Sequence, residues 1–94
     1  AALGNEVGRS LDRVDRLEMS AAAKAAQHAP IGSPIRWENP SSGNYGSITP
    51  RREGRHRRSG AVCREFSNSL TIDGQTEEYV GVACRARDGS WNFK

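Results

Sequence analysis

The chain has 94 residues, a net charge of +3, 35% hydrophobic and only 6% aromatic residues. That length accommodates one small core, and a core so poor in aromatics calls for a staple or for a neighbour that shares its burial. The mild basic excess falls short of a dedicated nucleic-acid binder, and no apolar run approaches the roughly 18 residues of a membrane span.

Residues 1–29 contain no proline, and Leu3, Val7, Leu11, Val14, Leu17, Ala21 and Ala25 recur every three or four positions. Such spacing predicts one stripe of an amphipathic helix that covers a sheet. Arg9, Asp12, Arg13, Asp15, Arg16 and Glu18 fill the other side, with Asp12 and Arg16 at the interval that favours pairing. Pro30 stops the helix, and His28 is expected to serve as a favourable polar or cationic group near its C-terminus. The small residues Ala1, Ala2, Gly4 and Gly8 suit close helix approach, which makes self-association an expectation. No basic-then-apolar signal segment opens the chain, but it starts at Ala1 and not at a Met, so this says nothing of the compartment.

Beyond Pro30, glycine, proline, serine and asparagine punctuate short runs at 34–38, 46–52, 61–72, 75–85 and 91–93. The pattern predicts an antiparallel meander. The fold class is therefore α+β: one N-terminal helix, residues 1–29, packed on a four- to five-stranded antiparallel sheet, residues 30–94, as one globular unit. Trp37 and Trp91 are the expected core anchors. Asn39-Pro40-Ser41-Ser42-Gly43 reads as a tight turn, and Gly46 and Gly81 as strand positions where another backbone, that of the helix, comes close.

Cys63 and Cys84 flank the turn Asp73-Gly74. A two-residue loop there places them directly opposite, on the closer kind of antiparallel pair, which suits a disulfide. The same register puts Val62, Phe66 and Leu70 on one face but Val80 and Val82 on the other. A three-residue loop unites the five and separates the cysteines, while a bulge farther along satisfies both. The disulfide is the preferred reading, since a small core gains from a staple; two unrelated buried thiols is the other.

The segment Arg36-Trp37-Glu38-Asn39-Pro40-Ser41-Ser42-Gly43-Asn44-Tyr45-Gly46, followed by Ile48-Thr49-Pro50, resembles the core block of the outer-membrane surface-antigen lipoproteins, typified by the rickettsial seventeen-kilodalton surface antigen. Cys63-Arg64-Glu65-Phe66, Gly81-Val82-Ala83-Cys84-Arg85 and Asp88-Gly89-Ser90-Trp91 follow in the same order as that family's later blocks. Gly8 to Arg16 is similar to the join after its glycine zipper, with Gly4 and Gly8 as last teeth. The resemblance implies a lipidated N-terminal cysteine and a glycine-rich membrane segment, both missing from this sequence. It also implies an envelope location that permits the Cys63–Cys84 disulfide. It singles out Trp37, Asn39, Pro40, Gly43, Gly46 and Trp91 as structural motif residues, and it implies no reaction.

The arginine-rich loop departs from the family pattern. Arg51, Arg52, Arg55, His56, Arg57 and Arg58 crowd eight positions, between glycines that suggest a mobile hairpin tip. Clustered guanidinium groups bind phosphate or carboxylate, and in an envelope these come from lipopolysaccharide and peptidoglycan. An outer-membrane protein is the other expected partner. Nucleic acid is disfavoured, because stacking aromatics are not interleaved with the arginines. No catalytic residue, metal ligand or cofactor is assigned: His28 and His56 lack ligand spacing, and Glu77 and Glu78 point to opposite faces of a strand. The expectation is a non-catalytic envelope module, with anion or nucleic-acid binding through the loop as the alternative.

Overall fold

A computed structural model describes residues 11–93 of the chain. Helix α1 (Arg13–Ala26) is followed by β1 (Ile35–Asn39), β2 (Asn44–Arg55), β3 (Val62–Ile72), β4 (Gln75–Arg85) and β5 (Trp91–Phe93). The strands form one antiparallel sheet in the order β1-β2-β3-β4-β5, and α1 lies across β1 and β2. This is the expected α+β meander. The parts of the stripe and of the glycine-rich start that fall on residues 1–10, including Leu3, Val7, Gly4 and Gly8, lie outside the described residues.

Alternation sorts the sheet into two faces. Trp37, Ile48, Phe66, Leu70, Ile72 and Ala83 are buried together with Leu11, Ala22 and Ala26, while Trp91 packs at the rim of this core. The other face carries Ser47, Thr49, Ser67, Ser69 and Val80, partly or fully open to solvent. Gly46 sits opposite Trp37 in the β1–β2 ladder. A Cβ there would lie 2.7 Å from the Trp37 indole nitrogen and would collide with the Ser69 carbonyl oxygen. The close approach expected at Gly46 is thus real, but the indole and the neighbouring strand make it, not the helix.

The helix turns a different face to the sheet from the one its apolar spacing suggests. Val14 and Leu17 are 47% and 59% exposed, and Ala21 and Ala25 also face solvent. The buried line is Asp15, Ala22 and Ala26, with Met19 partly buried beside it and Leu11 ahead of the helix. Polar bonds set this rotation. Asp12 caps the helix: its Oδ1 accepts the Asp15 backbone N–H at 2.7 Å, and Asp15 Oδ2 accepts the Asp12 N–H at 3.0 Å. Asp15, with no solvent exposure, also accepts from Asn39 Nδ2 at 2.9 Å, Ser42 Oγ at 2.9 Å and Asn44 Nδ2 at 2.8 Å. A carboxylate that finds its donors in the sheet fixes the face, even though the exposed stripe carries the larger apolar side chains Val14 and Leu17.

The same polar cluster reaches both turns at that end. Asn39 Oδ1 accepts from Ser41 N at 3.1 Å within the β1–β2 turn, and Asn44 Oδ1 accepts from Asp73 N at 3.0 Å in the β3–β4 turn. Gly43 has φ +79°, as the tight turn requires. At the other end of α1, Arg64 from β3 donates through Nη1 to the carbonyls of Ala26 and Ala29 at 3.0 and 2.7 Å. Its Nε is held by Glu53 at 2.7 Å. Arg64 is therefore the cation that meets the helix C-terminus, and His28 is exposed.

The hairpin register settles the open alternatives. Ile72 pairs with Gln75, and Asp73 and Gly74 both take positive φ, 51° and 80°. The loop has two residues, and Cys63 pairs with Cys84 as a disulfide with Cα atoms 4.0 Å apart. Val80, 57% exposed, does lie on the face away from Phe66 and Leu70. The expectation that strand valines share the buried face fails because β4 buries the small residues Gly81 and Ala83, with Gly81 opposite Phe66. A bulge at Arg51 interrupts β2 against β3 instead, between the pairs Pro50–Phe66 and Arg52–Glu65.

Two outcomes test this account. Replacing Gly46 by Ala forces Trp37 or β3 to move and is expected to destabilise by about 1–3 kcal/mol, measured by urea unfolding. Burial alone would raise the Asp15 pKa, but the bonds from Asn44, the Asp12 backbone, Asn39 and Ser42 outweigh it and hold the pKa below its ordinary value. A depressed folded pKa means that the ionised group stabilises the fold above the ordinary carboxylate range, and that this contribution is lost as pH falls through the folded value. Stability is thus expected to fall below about pH 4, and Asp15→Asn, which offers one acceptor where two are used, is expected to flatten that acid limb. An unchanged acid limb in the variant would remove Asp15 from the account.

Candidate functional site

The candidate site lies at the end of the sheet opposite the Asp15 cluster. The β2–β3 tip and the β4–β5 turn emerge there side by side, because β3 and β4 are registered through Cys63–Cys84 and Arg85 pairs with Trp91. Between them is an open concavity of about 850 Å³. Its cationic lining comes from Arg55 and Arg58 on one turn and Arg85 and Arg87 on the other, with His56 beside them and Cys84 and Val62 in its floor.

Both turns are braced internally by hydrogen bonds. His56 N donates to Ala61 O at 2.8 Å, and Gly60 N donates to His56 O at 2.9 Å. His56 Nδ1 accepts from the backbone N–H groups of Arg58 and Ser59 at 3.1 and 3.4 Å. Arg55 Nη1 donates to Gly60 O at 2.9 Å, which draws one guanidinium edge into the loop. In the second turn, Ala86 N donates to Ser90 O at 2.7 Å and Gly89 N to Ala86 O at 3.0 Å. Asp88, the carboxylate in the lining, accepts from Ser90 Oγ at 2.6 Å and Ser90 N at 2.9 Å through one oxygen. These bonds hold its pKa below the usual value, so it stays charged.

The six residues grouped from sequence do not form one patch. Arg55, His56 and Arg58 line the concavity, and Arg57 is exposed on the same tip. Arg52 is engaged by Glu65 through two hydrogen bonds of 2.7 and 3.3 Å. Arg51, at the bulge, donates to Ser67 Oγ at 3.1 Å on the polar sheet face. Arg85 and Arg87 were missed. The two-residue-loop register already implied them, since pairing Cys63 with Cys84 sends the Asp88-Gly89 turn to the same end as the arginine tip. Asp15, Ser42 and Asn44 were also missed, although Asp12 and Asp15 stand at capping-box spacing.

Among the described residues, no group of three or more His, Cys, Asp and Glu could hold a metal ion, and no helix is long and apolar enough to cross a membrane. The arrangement is a small disulfide-stapled α+β module with a polar clamp at one end and an arginine-lined concavity at the other.

The family model described as 17 kDa outer membrane surface antigen matches residues 24–92, and the chain belongs to that family. It is 38% identical over 88 residues to the 17 kDa surface antigen of Rickettsia bellii, covering 93% of this chain and 55% of the relative. Against the antigen of Rickettsia conorii it is 39% identical over 82 residues, 86% of this chain and 51% of the relative. The antigen of Rickettsia prowazekii is 41% identical over 82 residues, with 85% and 50% covered. The chain thus spans about half the length of the curated relatives it matches. No solved structure matches it. The module is of the surface-antigen type.

The disulfide joins the strands that carry the two basic turns, across a sequence separation of 21 residues. Closing a loop of that size contributes about 3 kcal/mol. Cys63→Ser with Cys84→Ser is expected to lower the urea midpoint accordingly, with dithiothreitol producing the same shift in the parent chain and none in the variant.

Proposed function

We propose that the chain is the globular, non-catalytic module of a bacterial outer-membrane lipoprotein, anchored by a lipidated cysteine upstream and serving a structural or binding role in the envelope. The observation that carries this reading is how the motif block is used. Asn39, Ser42 and Asn44 direct their donors at Asp15, Gly43 makes the turn, and Gly46 makes room for Trp37. The block that identifies the family thus builds the fold, and what remains available to a partner is the basic end and the exposed helix stripe. The disulfide supports an oxidising compartment outside the cytoplasm. Nucleic acid is a weaker reading, since the described lining of the concavity contains no Phe, Tyr or Trp ring on which bases stack.

The test uses the full-length precursor expressed in a Gram-negative host with an alkyne-bearing palmitate analogue. The expected result is a labelled protein in the outer-membrane fraction, with label lost when the upstream cysteine is replaced by serine. An unlabelled protein in the soluble fraction would overturn the anchoring.

A further inference from the structure

We infer that the concavity between the β2–β3 tip and the β4–β5 turn is a binding site for an extended, carboxylate-bearing polymer of the envelope, read by Arg55, Arg58, Arg85 and Arg87. This rests on the envelope reading above and names the partner class of the basic end.

The charge balance makes it an anion site. Four arginines, Arg55 and Arg85 at strand ends and Arg58 and Arg87 in the adjoining turns, line one open concavity, and the carboxylate in the lining, Asp88, already accepts two bonds from Ser90. Arg58, Arg85 and Arg87 are exposed, and neither salt bridge among the described residues, Arg52–Glu65 or Arg64–Glu53, involves them.

The donors that are absent from the surface narrow the anion. Compact phosphates are typically cradled by backbone N–H groups at helix N-termini or in nests. Here the N–H groups of His56, Arg58, Ser59, Gly60, Ala86 and Ser90 all donate within their own turns. Long side-chain forks therefore supply most of the donors. Planar guanidinium edges match planar carboxylates in pairs, and an open concavity suits a chain that passes through better than an ion that must be enclosed.

Position supplies the rest. Helix α1 starts at the Asp15 end, and β2 runs its 12 residues from Asn44 there to Arg55 at the basic end. Twelve extended residues cover roughly 40 Å, which is the long dimension of the molecule, 41 Å. The described chain therefore enters α1 at one end and presents its arginines at the other, clear of the Asp15 clamp, where a polymer passing alongside can reach them.

The test is co-sedimentation of the purified, oxidised chain with peptidoglycan sacculi, with sacculi whose carboxyl groups have been amidated, and with vesicles of phosphatidylethanolamine containing phosphatidylglycerol. The expected result is saturable binding to native sacculi that weakens with salt and falls about tenfold on amidation. Arg85→Gln with Arg87→Gln is expected to weaken it about tenfold at unchanged melting temperature, since both residues are exposed. Arg36→Gln, on β1, is expected to bind as the parent does. Equal binding to amidated sacculi, binding to vesicles alone, or no binding overturns the inference. Because this assay needs no lipid, its result is independent of palmitate labelling of the precursor. Binding without labelling removes the anchor and leaves the site, and labelling without binding does the reverse.

Discussion

A carboxylate without solvent contact must find its hydrogen-bond donors inside the protein, and Asp15 finds them on three strand-flanking side chains and one helix-capping backbone N–H. An ion so placed would be strongly destabilising if any of those donors turned away. The helix, the β1–β2 turn and, through Asn44, the β3–β4 turn are thereby required to adopt their geometry together. Apolar area alone would turn Val14 and Leu17 inward, yet both are left exposed. The polar cluster supplies the discrimination that the core lacks. Arg64 completes it at the far end of α1, so that the helix is held by an acid at its start and by a cation at its finish, both aligned with its dipole.

Much of the architecture was legible because it rests on local chemistry. Asp73-Gly74 marked a hairpin turn, Pro30 bounded the helical stretch, and the spacing of turn residues marked out the strands to within a few positions. The helix face was not legible. Val14, Leu17, Ala21 and Ala25 have the spacing of a buried stripe, yet the buried line is displaced by one position to run through Asp15, Ala22 and Ala26. Reading charge as solvent-facing placed Asp15 outside, and only the donors it meets in space show otherwise. The valines of β4 misled for a related reason. Their bulk marks a strand, but the room left opposite Phe66 admits only the small residues on the other parity.

The basic end was half legible. A run of arginines along the chain draws the eye, but proximity in sequence is a poor guide on a strand, where neighbours point apart and a bulge resets the count. Arg51 and Arg52 are occupied by Ser67 and Glu65 on the sheet, while Arg85 and Arg87, some 30 positions away, complete the concavity. The disulfide holds the two contributing hairpins in register. The molecule thus separates its tasks by position, with fold-determining polar groups at one end and, among the described residues, arginines outside the ion pairs of Arg52 and Arg64 at the other.

The bulge at Arg51 sits between those ends. Ahead of it β2 pairs Pro50 with Phe66, and after it Arg52 with Glu65 and Glu53 with Arg64. Were the same sequence laid down as an unbroken ladder, Arg52 would face Arg64, two like charges where an ion pair now supports the helix terminus. The extra residue therefore acts as an expansion joint. It takes up one position of chain length and bends the strand, while cross-strand partners on either side keep their places. A version of this chain shortened by one residue at position 51 would retain every pair in the ladder and lose the bend together with the Arg51–Ser67 bond. The angle at which the arginine-bearing end is held out from the clamped end can then vary between related chains without any change in how either end is built.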